Sequence, residues 1–248
     1  MFGLIVGVFG FWASIIPILA LGLGALILGV MILFLPESTA TRVDRLATAS
    51  GLPALLNIEA MMVDLDASAR GIYIPTTGFG VAPKVLVPLS DSVMASLSKA
   101  RLARSGRVFV TLGTGMYDRG ILLYPPGGEI LQALESCLQL DLGTIGFDEL
   151  PEKMGFGFET LGISKRGISI ELEEPKVRFQ MNLTSLIDLE ERLRLLAPRV
   201  IEQVGSPLTS AVAATVAKTT GRFVRLMDSN VNQSTLSGTL ELLETAPK

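Results

Sequence analysis

From Met1 to Pro36 the chain carries no Asp, Glu, Lys or Arg, and the run is almost entirely Leu, Ile, Val, Phe, Ala and Gly. A stretch of this length and composition is far more stable in lipid than in water, which fixes where the amino end can go. A helix crosses the roughly 30 Å hydrocarbon layer with about 20 residues, whereas one unbroken helix through this run would be on the order of 50 Å long. The break falls at Ser14 to Pro17, so the run reads as two short spans, 2–16 and 18–35, turned back on each other. The competing arrangement is a single span over 17–35 preceded by an interfacial segment, with Trp12 at the headgroup level. A cleaved signal peptide is disfavoured because nothing basic precedes the run and the run is too long. Glycines at 3, 7, 22, 24 and 29 allow close helix approach.

The excess behind the mean hydropathy of +0.50 sits largely at this end. All 24 acidic and 21 basic residues lie beyond it, so the net charge of −3 belongs to residues 37–248. That balance has no basic excess and argues against a nucleic-acid partner. Arg42 and Arg45 follow the membrane run directly, which places the remainder on the cytoplasmic side by the positive-inside rule. Cys137 is the single cysteine, so no intrachain disulfide can form, consistent with a reducing compartment. The sequons at Asn182 and Asn232 would matter only outside the cell.

Residues 37–51 read as a polar linker, and 52–248 as a water-soluble α+β domain, either whole or as subdomains 52–145 and 146–248. Leu55, Leu56, Ile58, Met61, Met62 and Leu65 recur at helical spacing. Strand-like runs follow at 71–75, 84–89, 107–112 and 120–124, the last two joined by the glycine-rich stretch 113–119. Pro125 to Gly128 opens a helix through about Gln139. Next come a helix near 149–161 and a hairpin of 167–172 with 176–181. An amphipathic helix then starts near 185, with Leu186, Leu189, Leu193, Leu196 and Val200 as its apolar stripe and Glu190, Glu191, Arg192 and Arg194 facing water. Pro198 should kink or interrupt it. Ser206 is placed as an N-cap, Pro207 as the first helical residue and Gly221 as the C′ residue of a helix whose Ala211, Ala213, Ala214 and Ala217 can lie close to a sheet. Strands at 222–228 and 235–243 close the chain, and successive hairpins make the sheet mainly antiparallel.

Several of these stretches carry a resemblance. Arg70 to Pro75, Lys84 to Leu89, Leu123-Tyr-Pro-Pro-Gly127, Gly205 to Ser210 and Ala217 to Arg222 resemble patterns in a group of uncharacterised archaeal membrane-anchored proteins, in which an apolar hairpin precedes the domain. The resemblance implies the anchor and the fold, and brings no activity. The final third is also similar to the end of the vinyl-reductase-type small-molecule-sensing domain, where a cysteine-proline turn opens a helix leading into two strands. Here Gly205 and Ser206 stand at that turn, without the cysteine.

With no histidine and one cysteine, the usual zinc, haem and Ser-His-Asp or Cys-His arrangements are excluded. No cofactor, metal or catalytic residue is expected. The pairs Gly78/Gly80, Gly113/Gly115 and Gly155/Gly157 lack a Rossmann context and read as turn glycines. Ser96-Leu-Ser-Lys99 has Ser-x-x-Lys spacing but sits in a polar stretch that reads as a solvated helix face. Glu173-Glu174 and Glu190-Glu191 are adjacent, which points each pair apart. Lys99, Arg101, Arg104 and Arg107 form a modest basic cluster read as solvated rather than lipid-bound. These features favour a membrane-anchored interaction or scaffold protein, an accessory subunit with a protein partner or a second copy of itself. The alternative is a tethered sensor holding an apolar small molecule between the sheet and the helix at 207–219. An enzyme would need a tight cluster of Asp, Glu, Lys or Ser in a pocket.

Overall fold

The computed structural model describes residues 52–89, 107–111, 119–184 and 186–243. The predicted spans and linker at 1–51, the Ser96/Lys99 pair, the basic residues at 99, 101 and 104, and the Gly113/Gly115 loop lie outside them. Among the described residues no helix is long and apolar enough to cross a membrane.

Residues 54–248 form one compact unit. It is α+β: the described residues form eight strands in a single antiparallel sheet, ordered β3-β4-β2-β1-β7-β8-β6-β5, with helices packed against it. Strands β1 (Ile72–Ile74), β2 (Lys84–Pro88), β3 (Phe109–Thr111) and β4 (Arg119–Leu123) form one wing. Strands β5 (Ser164–Glu173), β6 (Lys176–Leu183), β7 (Phe223–Asn232) and β8 (Thr235–Leu243) form the other. The two are joined where Ile72 and Tyr73 of β1 pair with Arg225 and Val224 of β7. The helices are α1 (52–64), α2 (Gly128–Leu138), α3 (Leu150–Thr160), α4 (Ile187–Leu196), α5 (Pro198–Gln203) and α6 (Pro207–Thr220).

Local chemistry explains the element ends. The Ser206 hydroxyl accepts from the Thr209 N–H, Pro207 occupies the first turn, and Gly221 adopts φ 62°, which ends α6 in the left-handed conformation that favours glycine. Pro198 interrupts the amphipathic segment, as its missing N–H requires: α4 stops at Leu196, Ala197 leaves helical geometry, and α5 restarts at Pro198. Its first turn is capped from another element, because the Glu59 carboxylate of α1 accepts from the Arg199 and Val200 N–H groups at 3.2 and 2.8 Å. Strand β7 runs to Asn232, four residues past its expected end, since Val231 pairs with Leu236 and extends the ladder with β8.

Helix α6 is the central post. It packs on β1, β7, β8 and α2, and Leu208 through Ala217 are buried along its whole length. The alanines allow that approach, and the other side of the contact is equally bare. A Cβ on Gly127 would lie 2.2 Å from both the Pro207 carbonyl oxygen and the Ala211 nitrogen. Gly127 has φ −90°, an ordinary value, so space and not backbone freedom demands glycine there.

Candidate functional site

Three groups of polar side chains are candidate sites. The first is a buried ionic cluster at the end of α6. Lys218 and Glu135 are both fully buried and paired, and Lys218 Nζ also contacts Asp141 Oδ1 at 3.0 Å. The same ammonium donates to the Gly78 carbonyl at 2.7 Å. Glu135 in turn accepts from the Gly80 N–H and the Leu142 N–H, each at 3.0 Å. An ammonium has three protons, and here each has an acceptor. Desolvation raises the Asp141 carboxyl, but the Gly143 N–H and Lys218 outweigh it and hold the group below the ordinary carboxylate value. The cluster ties the loop after β1 and the loop after α2 to α6. It has no spare donor and borders neither of the clefts described below, so its chemistry is that of a clasp.

The second group lines the amino end of α6. Glu190 was expected to face water beside Glu191, and it is instead buried, with 1% of its surface exposed. The reason is a rotation of the stripe. The inward positions of α4 are Glu190 and Leu193, continuing to Ala197 and Val200, while Leu196 is exposed. Burial pushes the Glu190 carboxyl up, against the opposing pull of Ser206, Arg194 and the Leu208 N–H. Among the described residues, Glu190 Oε2 and Arg194 Nε, one helical turn apart, make no hydrogen bond. Beside them the Tyr73 hydroxyl donates to the Val204 carbonyl, and burial raises its ionisation well above the ordinary range despite a hydrogen bond with Ser210. Ser210 Oγ accepts from the Gly127 N–H at 3.1 Å, and the Gly71 N–H donates to the Gln203 carbonyl at 2.7 Å. The stretches around Arg70, Tyr124 and Gly205 thus meet here, in an interlock of strand, helix start and turn.

The third group is open to solvent. An extra residue in β7 between Leu226 and Asp228 makes a bulge, a common device for re-aiming side chains. Asp228 borders two clefts. One, of about 290 Å³, lies between Arg70, Arg194, Pro198, Ile201, Glu202 and Ser229. The other, of about 390 Å³, crosses the outer face of β5, β6 and β8 past Glu171, Arg178, Gln180, Ser237 and Thr239. Arg194 donates from Nη2 to the Ser229 carbonyl at 3.1 Å and Arg70 from Nη1 to the Glu202 carbonyl at 3.1 Å, which orients both guanidinium groups at the first cleft.

The remaining singled-out residues scatter. Gly78 and Gly80 have φ 101° and 68° and do form a turn. Gly155 and Gly157 do not: both lie inside α3, where a Cβ on Gly157 would fall 2.6 Å from Leu134 and one on Gly155 would fall 3.2 Å from the Gly167 backbone. They are close-packing glycines, a role that helical spacing alone cannot distinguish from a turn. Glu173 pairs with Arg178 and Glu174 with Arg222, at 3.2 and 3.1 Å, so the two acids do point apart. The sensor alternative would need a void between α6 and the sheet, and among the described residues α6 packs closely there. Leu208, Ala211, Val212, Ala213, Val216 and Ala217 have no accessible surface, and a space large enough for water would give them some. No group of three or more His, Cys, Asp or Glu among the described residues could hold a metal ion. No family model, curated protein or solved structure matches this chain.

Proposed function

We propose that this protein is a membrane-anchored recognition module, an accessory subunit whose soluble domain acts by binding a protein partner and not by catalysis. The anchor is the charge-free run 1–36, and the two arginines after it favour the cytoplasmic side for the domain. The observation that carries the binding reading is how the ionisable groups are divided between interior and surface. The buried ammonium and carboxylate of Lys218 and Glu135 hold loops together, and the Tyr73 phenol holds α6 to β1. The side chains left to solvent around Asp228 instead form a groove of mixed charge with hydroxyl and amide groups. Such a surface suits reversible, orientation-specific contact with a protein, where charge complementarity sets specificity. The formal charge of −3 leaves no basic excess for nucleic acid. The solid packing of α6 weighs against the sensor reading in the place the sequence suggested for it.

The test is purification from native membranes after mild cross-linking, followed by mass spectrometry of what accompanies the chain. A co-purifying protein that is lost on Asp228→Lys with Arg178→Glu, and retained on Cys137→Ser, is the expected result. A detergent-solubilised chain that runs alone as a monomer would overturn it.

A further inference from the structure

We propose that the edge of β5 pairs with β5 of a second copy of this chain, antiparallel and centred on Ile170, so that one sheet runs through both copies. The contact is made by the strand's edge, not by the outer face that carries the Asp228 groove, and it does not require the function proposed above. Among the described residues β5 ends the sheet and pairs on one side only, with β6. It has ten residues, whereas β3 at the opposite end has three. Every second residue of an edge strand aims its N–H and C=O away from the ladder, which makes a long edge a template for another strand.

The residues along this edge select the strand that fits it. The register slips between Ser164 and Ile168, and Gly167 has φ 70°, so the regular ladder with β6 runs from Ile168 to Glu173. A bulge of this kind ends pairing and confines the template to that stretch. Ile168 and Ile170 face inward, each 8% exposed, in one cluster with Met154 and Phe158 of α3. Leu172 shares their face by strand alternation, yet it is 40% exposed. Antiparallel pairing about Ile170 sets Leu172 opposite Ile168 of the other copy, and the two-fold axis repeats the contact. The same register sets Ser169 opposite Glu171, so no like charges meet directly. Centring on Glu171 would set that carboxylate against its own copy, and centring on Ser169 would leave a ladder of only 168–170 before the bulge. Charge is also graded along the strand, with Lys165 near its start, Glu171 and Glu173 near its end and Glu174 just beyond. Antiparallel pairing lays the acidic end of each copy beside the basic start of the other, so the strand is complementary to itself in both apolar pattern and charge.

The experiment uses the full chain with Cys137→Ser in mild detergent, its protein mass read by light scattering. Chains carrying Ser169→Cys are mixed with chains carrying Glu171→Cys, left to exchange subunits and then oxidised. Both side chains are exposed, and the proposed register puts them directly opposite, at a separation that a disulfide spans. The expected result is a dimer in which the mixture cross-links roughly fivefold faster than either chain alone. Leu172→Lys places a charge against Ile168 of the other copy and should return a monomer, with cross-linking cut roughly tenfold and far-ultraviolet circular dichroism unchanged. Leu172→Met keeps the apolar contact and should remain dimeric. A native chain that is monomeric at micromolar concentration overturns the proposal. So does a dimer that survives Leu172→Lys and cross-links no faster in the mixture than alone, because the contact then lies elsewhere, the apolar run 1–36 included. Cross-linking of Ser169→Cys in native membranes to a different protein, in place of a second copy, assigns the edge to a foreign strand and overturns self-pairing as well.

Discussion

The two wings of the sheet share antiparallel hairpin geometry yet solve the burial problem differently. In β1, β2 and β4 consecutive residues are buried: Ile72, Tyr73 and Ile74, then Val85, Leu86 and Val87, then Ile121 and Leu122. In β6 and β8 burial alternates, with Val177, Phe179 and Met181 inward and Arg178 and Gln180 outward, then Leu236 and Leu240 inward. One side of the first wing joins the main core through Tyr73, Val85 and Val87. The other side forms a second apolar cluster of Ile72, Ile74, Leu86 and Leu122, which Phe223 and Leu243 extend onto the start of β7 and the end of β8. A strand buried on both faces reads as a continuous apolar run, and one with a wet face alternates. The wings divide the labour, one buried on both sides and one offering its outer face to water.

The comparison breaks most visibly if the clasp at Lys218 is opened. Lys218→Met leaves Glu135 buried without its counter-charge, and should cost about 3–5 kcal/mol in chemical denaturation. Hydrogen exchange should speed up at Gly80 and Leu142 well before it does in β6 and β8. Uniform acceleration across both wings would refute the division.

Next in size is a pair of truncations on the outer side of the sheet. Leu86→Ala, at a fully buried site, should lower stability by about 2–5 kcal/mol. Thr239→Ala, on the rim of the second cleft, should change it by about 0.5 kcal/mol or less. Equal costs, read from urea midpoints, would mean that both outer faces are buried alike.

A smaller effect belongs to Glu190. A carboxyl raised on folding favours the folded state while protonated, and that contribution is lost as pH rises from the ordinary value of 4.5 through its raised folded value. Glu190→Gln should therefore gain stability relative to the native chain over that window and hold the gain at neutral pH. Asp141 has the opposite sign. Its lowered value gives stability present above 3.8 that is lost as pH falls through the folded value, and Asp141→Asn should flatten the acid limb of the melting-temperature profile.

Much of the architecture was legible in the residues because it is local. Ser206, Pro207 and Gly221 bracket α6 by hydrogen-bonding and backbone geometry that operate within a few residues, and Pro198 breaks its helix wherever it sits. The apolar runs at 72–74 and 85–87 announced strands, and their lack of alternation carried information about two-sided burial. Glu190 was misplaced for a physical reason: a stripe of leucines at 186, 189, 193 and 196 fits α4 nearly as well as the stripe through 190, and only the α6 amino end that receives the carboxylate selects between them. The Asp228 groove was illegible, since a bulge is a property of a paired ladder and shows only when β7 meets β8.

The sequence by itself determined the charge-free amino end, the near-neutral domain without histidine chemistry, and the kind and order of its elements. These depend on composition and on interactions a few residues long. The tertiary structure alone decided that Lys218 reaches Glu135, 83 residues away, that Gly127 must be bare to admit α6, and which faces of the sheet stay wet. Those outcomes follow from which distant surfaces exclude water together, and no short window of residues contains that information.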